Sequence, residues 1–400
     1  MSTPSASVSR GRWAVVLGWA LVALQLANLA RHTTLVADTG RAPGWDLGIY
    51  RLAASVVAGG GSPYAPGAIP GRLPYTYSPL LNPILPAFLG DPERVRMGYS
   101  AAALLSLVLA VIVLIRGLRL SEWRAAAAAW LVVGGGMSGL NLDFQAGNVT
   151  AFEMLPATVV LVGVLRRHPL AIGVGMALLC LAKPTWLVLA LLPLLLDPDR
   201  AGLKRAVIAG VAGLLPLIAS FLLAPSETRT WLGNASHLRE SFNVNPCLRE
   251  LIGDVFKVLH LPGSDVVWLA FAVASVIGLF QFRRTLPPHL VPGIVAAFAL
   301  FAPLFFPRLK PYSAAIPGMM LAVLLTYDRR ALRELALPIA LVSFPYLVSY
   351  DQDTLAFLQR MNDRHLPIGG WTMVLSLVAG WLVVRWLRRE RNLSVPDPAS

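Results

Sequence analysis

Residues 97–115 read MGYSAAALLSLVLAVIVLI, a run without a charged residue. An α-helix needs about 20 apolar residues to cross the hydrocarbon core of a bilayer, so this run predicts a membrane-spanning helix. Comparable runs, some of them shorter, occupy 13–31, 125–141, 149–165, 170–182, 184–196, 205–223, 265–282, 290–306, 311–327, 333–349 and 368–388. The sequence therefore predicts an all-α polytopic membrane protein with about 12 transmembrane helices.

The composition supports this class and excludes others. Hydrophobic residues make up 56% of the 400 residues and charged residues 14%, whereas an ordinary soluble domain is about 25% charged. Such a chain is too apolar for intrinsic disorder, and its long apolar runs exclude the roughly 10-residue alternating strands of a membrane β-barrel. Cys and His residues show no metal-ligand spacing, so no metal site or cofactor is predicted and a divalent cation is not indicated.

The distribution of charge predicts the orientation in the membrane. The net charge is +13, from 34 basic and 21 acidic residues. In a soluble protein this would indicate nucleic acid, but in a membrane protein cytoplasmic loops carry the excess of Lys and Arg. With the N-terminus inside, the basic residues collect in alternate loops, among them 116–124, 166–167 and 200–205. Both ends are therefore predicted in the cytoplasm, at a plasma membrane and without a nucleic-acid partner.

This topology gives one transmembrane domain, 13–390, between cytoplasmic tails at 1–12 and 391–400. Its long outer segments are 32–96 and 224–264, so the functional site is expected to face outward. In the first, Asp46 is expected in the first turn of a short interfacial helix that ends at the glycines 59–61, and a proline-rich interfacial or re-entrant helix follows Tyr77. In the second, residues 231–259 predict an amphipathic helix that lies on the membrane.

Several motifs in these outer segments resemble one family. Asp46 with Tyr50 four residues on, the turn Ser62-Pro63-Tyr64 and the stretch Tyr77-Ser78-Pro79 strongly resemble the first extracytoplasmic loop of GT-C glycosyltransferases. More narrowly, they resemble glycosyltransferase family 87, the polyprenyl-phosphate-sugar-dependent mannosyl- and arabinofuranosyltransferases of actinobacterial cell envelopes. Stretches at 145–148, 183–184, 243–249 and 307–312 resemble further elements of that family.

The resemblance implies a GT-C-type fold and a site on the extracytoplasmic face. It implies that a sugar moves from a polyprenyl-phosphate donor to a glycolipid or cell-envelope glycan acceptor by inverting displacement, with Asp46 as the base. Mannose is the preferred sugar. Arabinofuranose remains the alternative, because the histidines that often mark the mannosyltransferases of this family are missing from 307–312. The candidates for the donor phosphate are Lys183, Arg308 and Lys310, and those for substrate binding are Tyr50, Tyr77, Gln145, Asn148, Asn243, Asn245 and Arg249.

Two other classes remain open on the sequence alone. A transporter or lipid flippase would be expected to show inverted repeats and ionisable residues at the bilayer midplane. A non-catalytic membrane assembly partner would not need Asp46. Asp351 and Asp353 have the spacing of a metal-binding Asp-x-Asp, although acidic residues in an outer loop are common without a metal.

Overall fold

The computed structural model describes residues 6–34, 45–69, 75–134, 139–237 and 248–285, together with Phe298, Ile316 and Met319. All regular structure in these ranges is helical. The α-helices are α1 (Ala6–Thr34), α2 (Trp45–Ala58), α3 (Pro92–Leu118), α4 (Glu122–Gly134), α5 (Gly139–Ala146), α6 (Thr150–Leu165), α7 (Pro169–Ala182), α8 (Leu192–Leu196), α9 (Arg200–Leu223), α10 (Pro225–His237), α11 (Leu248–Val258) and α12 (Ser264–Thr285). Two 3-10 helices cover Pro79–Phe88 and Pro184–Leu191.

Three of these helices are long and apolar enough to cross a membrane: α3, α9 and residues Ser264–Arg284 of α12. Shorter apolar helices cover Val15–Ala30, Thr150–Leu165, Pro169–Ala182 and Pro184–Leu196. The all-α membrane character is therefore confirmed, whereas the number of 12 spans stays a prediction. The predicted spans at 290–306, 311–327, 333–349 and 368–388 lie outside the described residues, apart from Phe298, Ile316 and Met319.

The centre of the bundle is built by α3, α6, α7 and α9, which pack in that order, while α1 packs on α4. Glycine residues allow neighbouring helices of the bundle to approach each other closely. A Cβ on Gly175 of α7 would lie 2.8 Å from Val160 Cγ2 and 3.0 Å from the Pro156 carbonyl oxygen of α6. Small residues let membrane helices approach backbone to backbone, where packing rather than the hydrophobic effect holds them together.

The short apolar runs 170–182 and 184–196 form a hairpin. Helix α7 ends at Ala182, Lys183 is extended with φ −144° and ψ 110°, and the chain returns through Pro184–Leu191 and α8. Pro184 cannot continue α7, because proline lacks the amide hydrogen that an interior helical position donates. The turn therefore leaves Lys183 and Asp197 at opposite ends of the hairpin.

Charged loops collect around Asp197, and we call this end of the bundle the Asp197 end. Arg167 donates from Nε to Asp197 Oδ2 at 2.7 Å, and Arg205 also pairs with Asp197. Arg283 Nε donates to the Leu195 carbonyl oxygen at 2.7 Å. The C-terminal ends of α6, α8 and α12, which the charge distribution assigns to the inner side, thus lie together.

The outer segments follow the predicted pattern in part. The helix with Asp46 in its first turn, ended by glycines, is confirmed as α2. The proline-rich stretch is a 3-10 helix, because Pro83 and Pro86 remove the hydrogens of regular α-helical bonds and shorter bonds replace them. Residues 231–237 belong to α10, which begins at Pro225, and residues 248–258 form α11. Residues 238–247 lie outside the described residues, so the single amphipathic helix predicted at 231–259 stays a prediction.

Candidate functional site

The site is built on α2, which places Asp46 and Tyr50 one turn apart on the same helical face. Asp46 is half-buried, whereas Tyr50 is 4% exposed. A carboxylate in the first turn is favoured by the partial positive charge of a helix N-terminus. Asp46 is thus held at a boundary between the packed interior and the outside.

Asn148 binds Asp46 directly. Its Nδ2 donates to Asp46 Oδ2 at 2.6 Å and lies 3.2 Å from the Tyr77 hydroxyl. Thr150 Oγ1 donates to Asn148 Oδ1 at 3.2 Å, which fixes the amide so that its NH₂ group faces the carboxylate. A hydrogen bond from an amide to a carboxylate is charge-assisted, so it orients Asp46 strongly.

Gly147 allows this contact between α2 and the turn before α6. Its φ is +70°, and a Cβ there would lie 2.8 Å from Leu47 Cδ1 and closer still to Leu47 Cγ. The amides of Gly147 and Asn148 both donate to the Asp143 carbonyl oxygen, at 2.8 and 3.0 Å. A side chain at 147 would push α2 away, so glycine is needed for its left-handed backbone and for its lack of volume.

Two tyrosines close the cluster on the side of the first outer segment. The Tyr50 hydroxyl donates to the Tyr77 hydroxyl at 3.0 Å, and their rings meet edge to face with centroids 5.5 Å apart. Burial, followed by the negative charge of Asp46, raises the pKa of Tyr77 well above its ordinary value. Burial likewise raises the pKa of Tyr50. Both phenols therefore stay protonated at neutral pH and can serve as hydrogen-bond donors but not as bases.

Beneath the cluster, two buried acidic residues organise the start of α6. Asp143 is fully buried and accepts from the amides of Thr150 and Ala151 at 3.0 and 2.9 Å. Glu153, 1% exposed, accepts from Trp186 Nε1 at 3.2 Å and lies 2.8 Å from Lys183 Nζ. The Lys183 side chain is 25% exposed. That exposure belongs to the carbon chain of the lysine, because its Nζ atom is buried. The cation predicted for the donor phosphate is thus paired with a carboxylate inside the protein.

Helix α10 holds the first outer segment against the bundle. Trp231 Nε1 donates to the Thr76 carbonyl oxygen at 2.8 Å, and Asn82 Nδ2 donates to Glu227 Oε2 at 3.0 Å. Asn234 Nδ2 donates to the Tyr64 carbonyl oxygen at 2.8 Å. These bonds fix the backbone beside Tyr77, so the second long outer segment stabilises the site that the first one forms.

The remaining predicted site residues are not brought to this cluster within the part of the chain that the structure describes. Arg249 of α11 pairs with Asp265 of α12 at 2.9 Å and lies over the Trp268 ring, with 5.6 Å to the centroid. Gln145 lies in α5, one turn before Asn148, but its side chain is outside the described part. Asn243, Asn245, Arg308 and Lys310 lie outside the described residues, as do Asp351 and Asp353.

Sequence analysis missed Asp143, Glu153 and Thr150. An ionisable residue within an apolar run is costly and therefore a functional candidate. That rule singled out Lys183, and it applies equally to Glu153 in the run 149–165. Asp143 carries a weaker signal, since an acidic residue shortly before a helix is also an ordinary cap. Among the residues that the structure describes, no three His, Cys, Asp or Glu side chains are placed to hold a metal ion.

Comparison with known proteins agrees with the motifs. No curated protein matches the chain. The model of glycosyltransferase family 87 matches residues 75–307, which is more than half of the 400 residues. The matched segment includes Tyr77, Asn148, Glu153 and Lys183, and it begins after Asp46. The chain is therefore a membrane protein that belongs to glycosyltransferase family 87.

Proposed function

We propose that this glycosyltransferase moves mannose from a polyprenyl-phosphate donor to a glycolipid or cell-envelope glycan on the extracytoplasmic face, with Asp46 as the base. The observation that carries the proposal is the Asp46–Asn148 contact at 2.6 Å on a half-buried carboxylate. A base must be oriented and must still be reachable by the proton that it accepts. Asp46 meets both conditions. Arabinofuranose is the alternative sugar.

The reaction is a single displacement. The acceptor hydroxyl oxygen forms a bond to the anomeric carbon while the bond between that carbon and the phosphate oxygen breaks. The bonding electrons leave with the polyprenyl phosphate, and Asp46 takes the hydroxyl proton. The Asn148 amide orients the Asp46 carboxylate towards the acceptor.

Lys183 is the cation that we assign to the departing phosphate. Its Nζ lies 2.8 Å from Glu153, whose other oxygen accepts from Trp186, so the ammonium group is held at a defined position. A lysine acts on phosphate as a point charge, and its attraction is greater where water is partly excluded. Arg308 and Lys310 are further candidates for this role.

Family membership favours transfer over the transporter, flippase and assembly-partner alternatives. The polar groups Asp46, Tyr77, Asn148 and Lys183 also converge at one end of the helices, opposite the Asp197 end, rather than along a midplane path. With the charged Asp197 end in the cytoplasm, the site faces outward. The distribution of basic residues among the loops supports cytoplasmic chain ends. This is the topology that a donor sugar displayed on the outer leaflet requires.

The test is transfer of labelled sugar from polyprenyl-phosphate-mannose and from polyprenyl-phosphate-arabinose to membrane glycolipids. Wild type is compared with Asp46→Asn and with the control Asp91→Asn. Asp91 is exposed and caps α3 through Oδ2, and asparagine caps a helix equally well. We expect Asp46→Asn to lose about 100-fold or more in rate and Asp91→Asn to match wild type. Undiminished transfer by a folded Asp46→Asn variant would remove Asp46 as the base.

A further inference from the structure

Tyr99 carries a buried phenol hydroxyl beside the first turn of α6, and it has no role assigned so far. It lies in the second turn of α3, and its side chain is 9% exposed. Its ring meets Phe152 of α6 edge to face, with centroids 5.2 Å apart and an interplanar angle of 74°. The α3–α6 contact therefore fixes the position of the ring and of the hydroxyl that it carries.

The Tyr99 hydroxyl is buried and has no hydrogen-bond partner among the described residues. Buried tyrosine hydroxyls are nearly always paired, because an unpaired polar group is lost from water without compensation. Tyr64 in the same protein shows the ordinary case, with its hydroxyl 2.8 Å from the Tyr77 carbonyl oxygen and 3.0 Å from Asn82 Oδ1. The unpaired hydroxyl of Tyr99 thus needs an explanation of its own.

The groups around Tyr99 connect the two halves of the reaction. The Tyr99 ring contacts Phe152, which lies between Ala151, whose amide donates to Asp143, and Glu153, which pairs with Lys183. Asp143 already accepts two amides of α6, and Glu153 already holds Trp186 and Lys183. Tyr99 therefore packs on the first turn of α6, which follows Asn148, the partner of Asp46, and carries Glu153, the partner of Lys183. We expect the transferred sugar between Asp46 and Lys183, since its anomeric carbon bonds to the acceptor on one side and to the phosphate on the other.

We propose that the Tyr99 hydroxyl binds the transferred sugar of the donor, donating a hydrogen bond to one of its hydroxyl groups. This inference rests on the proposed donor class and on the positions assigned to Asp46 and Lys183. It adds a binding residue that selects for the glycosyl unit rather than for its lipid chain. No described residue pairs with the buried hydroxyl, because the sugar is its partner.

The test is Tyr99→Phe, which keeps the ring and its contact with Phe152 and removes only the hydroxyl. Binding is measured for polyprenyl-phosphate-mannose and for polyprenyl phosphate without sugar. We expect the variant to bind the sugar-bearing lipid about fivefold more weakly, the effect of one neutral hydrogen bond, and to bind the bare lipid phosphate like wild type. Equal effects on both ligands, or no effect on either, would overturn the proposal.

The midpoint of thermal unfolding gives a second test, because a hydroxyl with a structural role would lower the midpoint when it is removed. Removing an unpaired buried hydroxyl should leave the unfolding midpoint unchanged or raise it, whereas the control Tyr64→Phe, which breaks two contacts, should lower it. A fall in the midpoint of Tyr99→Phe as large as that of Tyr64→Phe would show that the Tyr99 hydroxyl is paired within the protein.

Transfer kinetics identify the sugar hydroxyl and separate this inference from the proposed function. The variant and wild type are compared on donors that lack one sugar hydroxyl at a time. We expect the fivefold deficit in kcat/KM to disappear for one deoxy donor, and a uniform deficit across all of them would refute a direct contact. If Asp46→Asn retains transfer while Tyr99→Phe discriminates sugar-bearing from bare lipid, the assigned base fails and the sugar contact stands.

Discussion

Gly147→Ala tests whether the approach of α2 to the turn before α6 builds the site. The substitution places a Cβ 2.8 Å from Leu47 Cδ1, on a residue that is 7% exposed, and it does so at a φ of +70°. The left-handed backbone costs an alanine about 1–2 kcal/mol. Forcing extra volume into a packed contact costs about 1–3 kcal/mol more. We therefore expect a loss of about 2–5 kcal/mol of stability.

The matched control is Gly67→Ala. Gly67 has a φ of +74°, but a Cβ at this position would meet no atom of the described residues within 4 Å, so the variant carries the backbone cost without the clash. Comparing the two variants by denaturant unfolding isolates the contact between Gly147 and Leu47. We expect the Gly147 variant to lose about 1–3 kcal/mol more than the Gly67 variant.

Activity should follow the same contact. If α2 shifts by about 1 Å, the bond from Asn148 to Asp46 lengthens and sugar transfer falls on the order of 100-fold. The Gly67 variant should retain wild-type transfer. Adding Leu47→Ala to Gly147→Ala removes the clashing carbons and should recover part of the rate. Equal stability and equal transfer in the two glycine variants would refute the reasoning.

Two further predictions concern the buried charges. Glu153→Gln leaves the buried Lys183 ammonium group without its counter-ion, so we expect a loss of about 3–5 kcal/mol in denaturant unfolding. Adding Lys183→Met should recover part of this loss. The exposed control Glu93→Gln, which removes only a first-turn carboxylate of α3, should lose less than about 1 kcal/mol. The hydrogen bond from Arg167 chiefly holds the pKa of Asp197 below 3.8, so ionised Asp197 stabilises the native state at neutral pH, and this contribution is lost as the pH falls below 3.8 towards the lowered native pKa. The difference in unfolding midpoint between wild type and Asp197→Asn should therefore shrink over that range, and a constant difference would contradict it.

Local features of the sequence were sufficient to predict α2, the helix that carries the proposed base Asp46. The glycines 59–61 end α2 because helices commonly stop at a residue with left-handed backbone angles, which glycine adopts without strain. Gly60 has a φ of +76°. The spacing of Asp46 and Tyr50 places them on one face through the helical period alone. These properties depend on neighbours within a few residues, so they can be predicted without knowing the fold.

The lysine within the apolar hairpin was also predictable as a special residue, but its partner was not. Lys183 stands out in the sequence because placing a charged side chain in an apolar run costs free energy. The ion pair with Glu153, 30 positions earlier in the chain, depends on how α6 and the α7 hairpin pack. That packing is decided by glycine contacts such as Gly175 against Val160, which no local pattern reveals.

The sequence by itself determined that this is an α-helical membrane protein with Asp46 in the first turn of a short helix, because hydrophobic run length and helical period are local quantities. Only the tertiary structure decided that Asn148 donates to Asp46 and that the hydroxyl of Tyr99 has no partner among the described residues. In the sequence, Tyr99 looks like an aromatic anchor at the membrane interface. Its environment depends on the packing of α3 against α6. Distances of about 3 Å between residues far apart in the chain are fixed by packing alone.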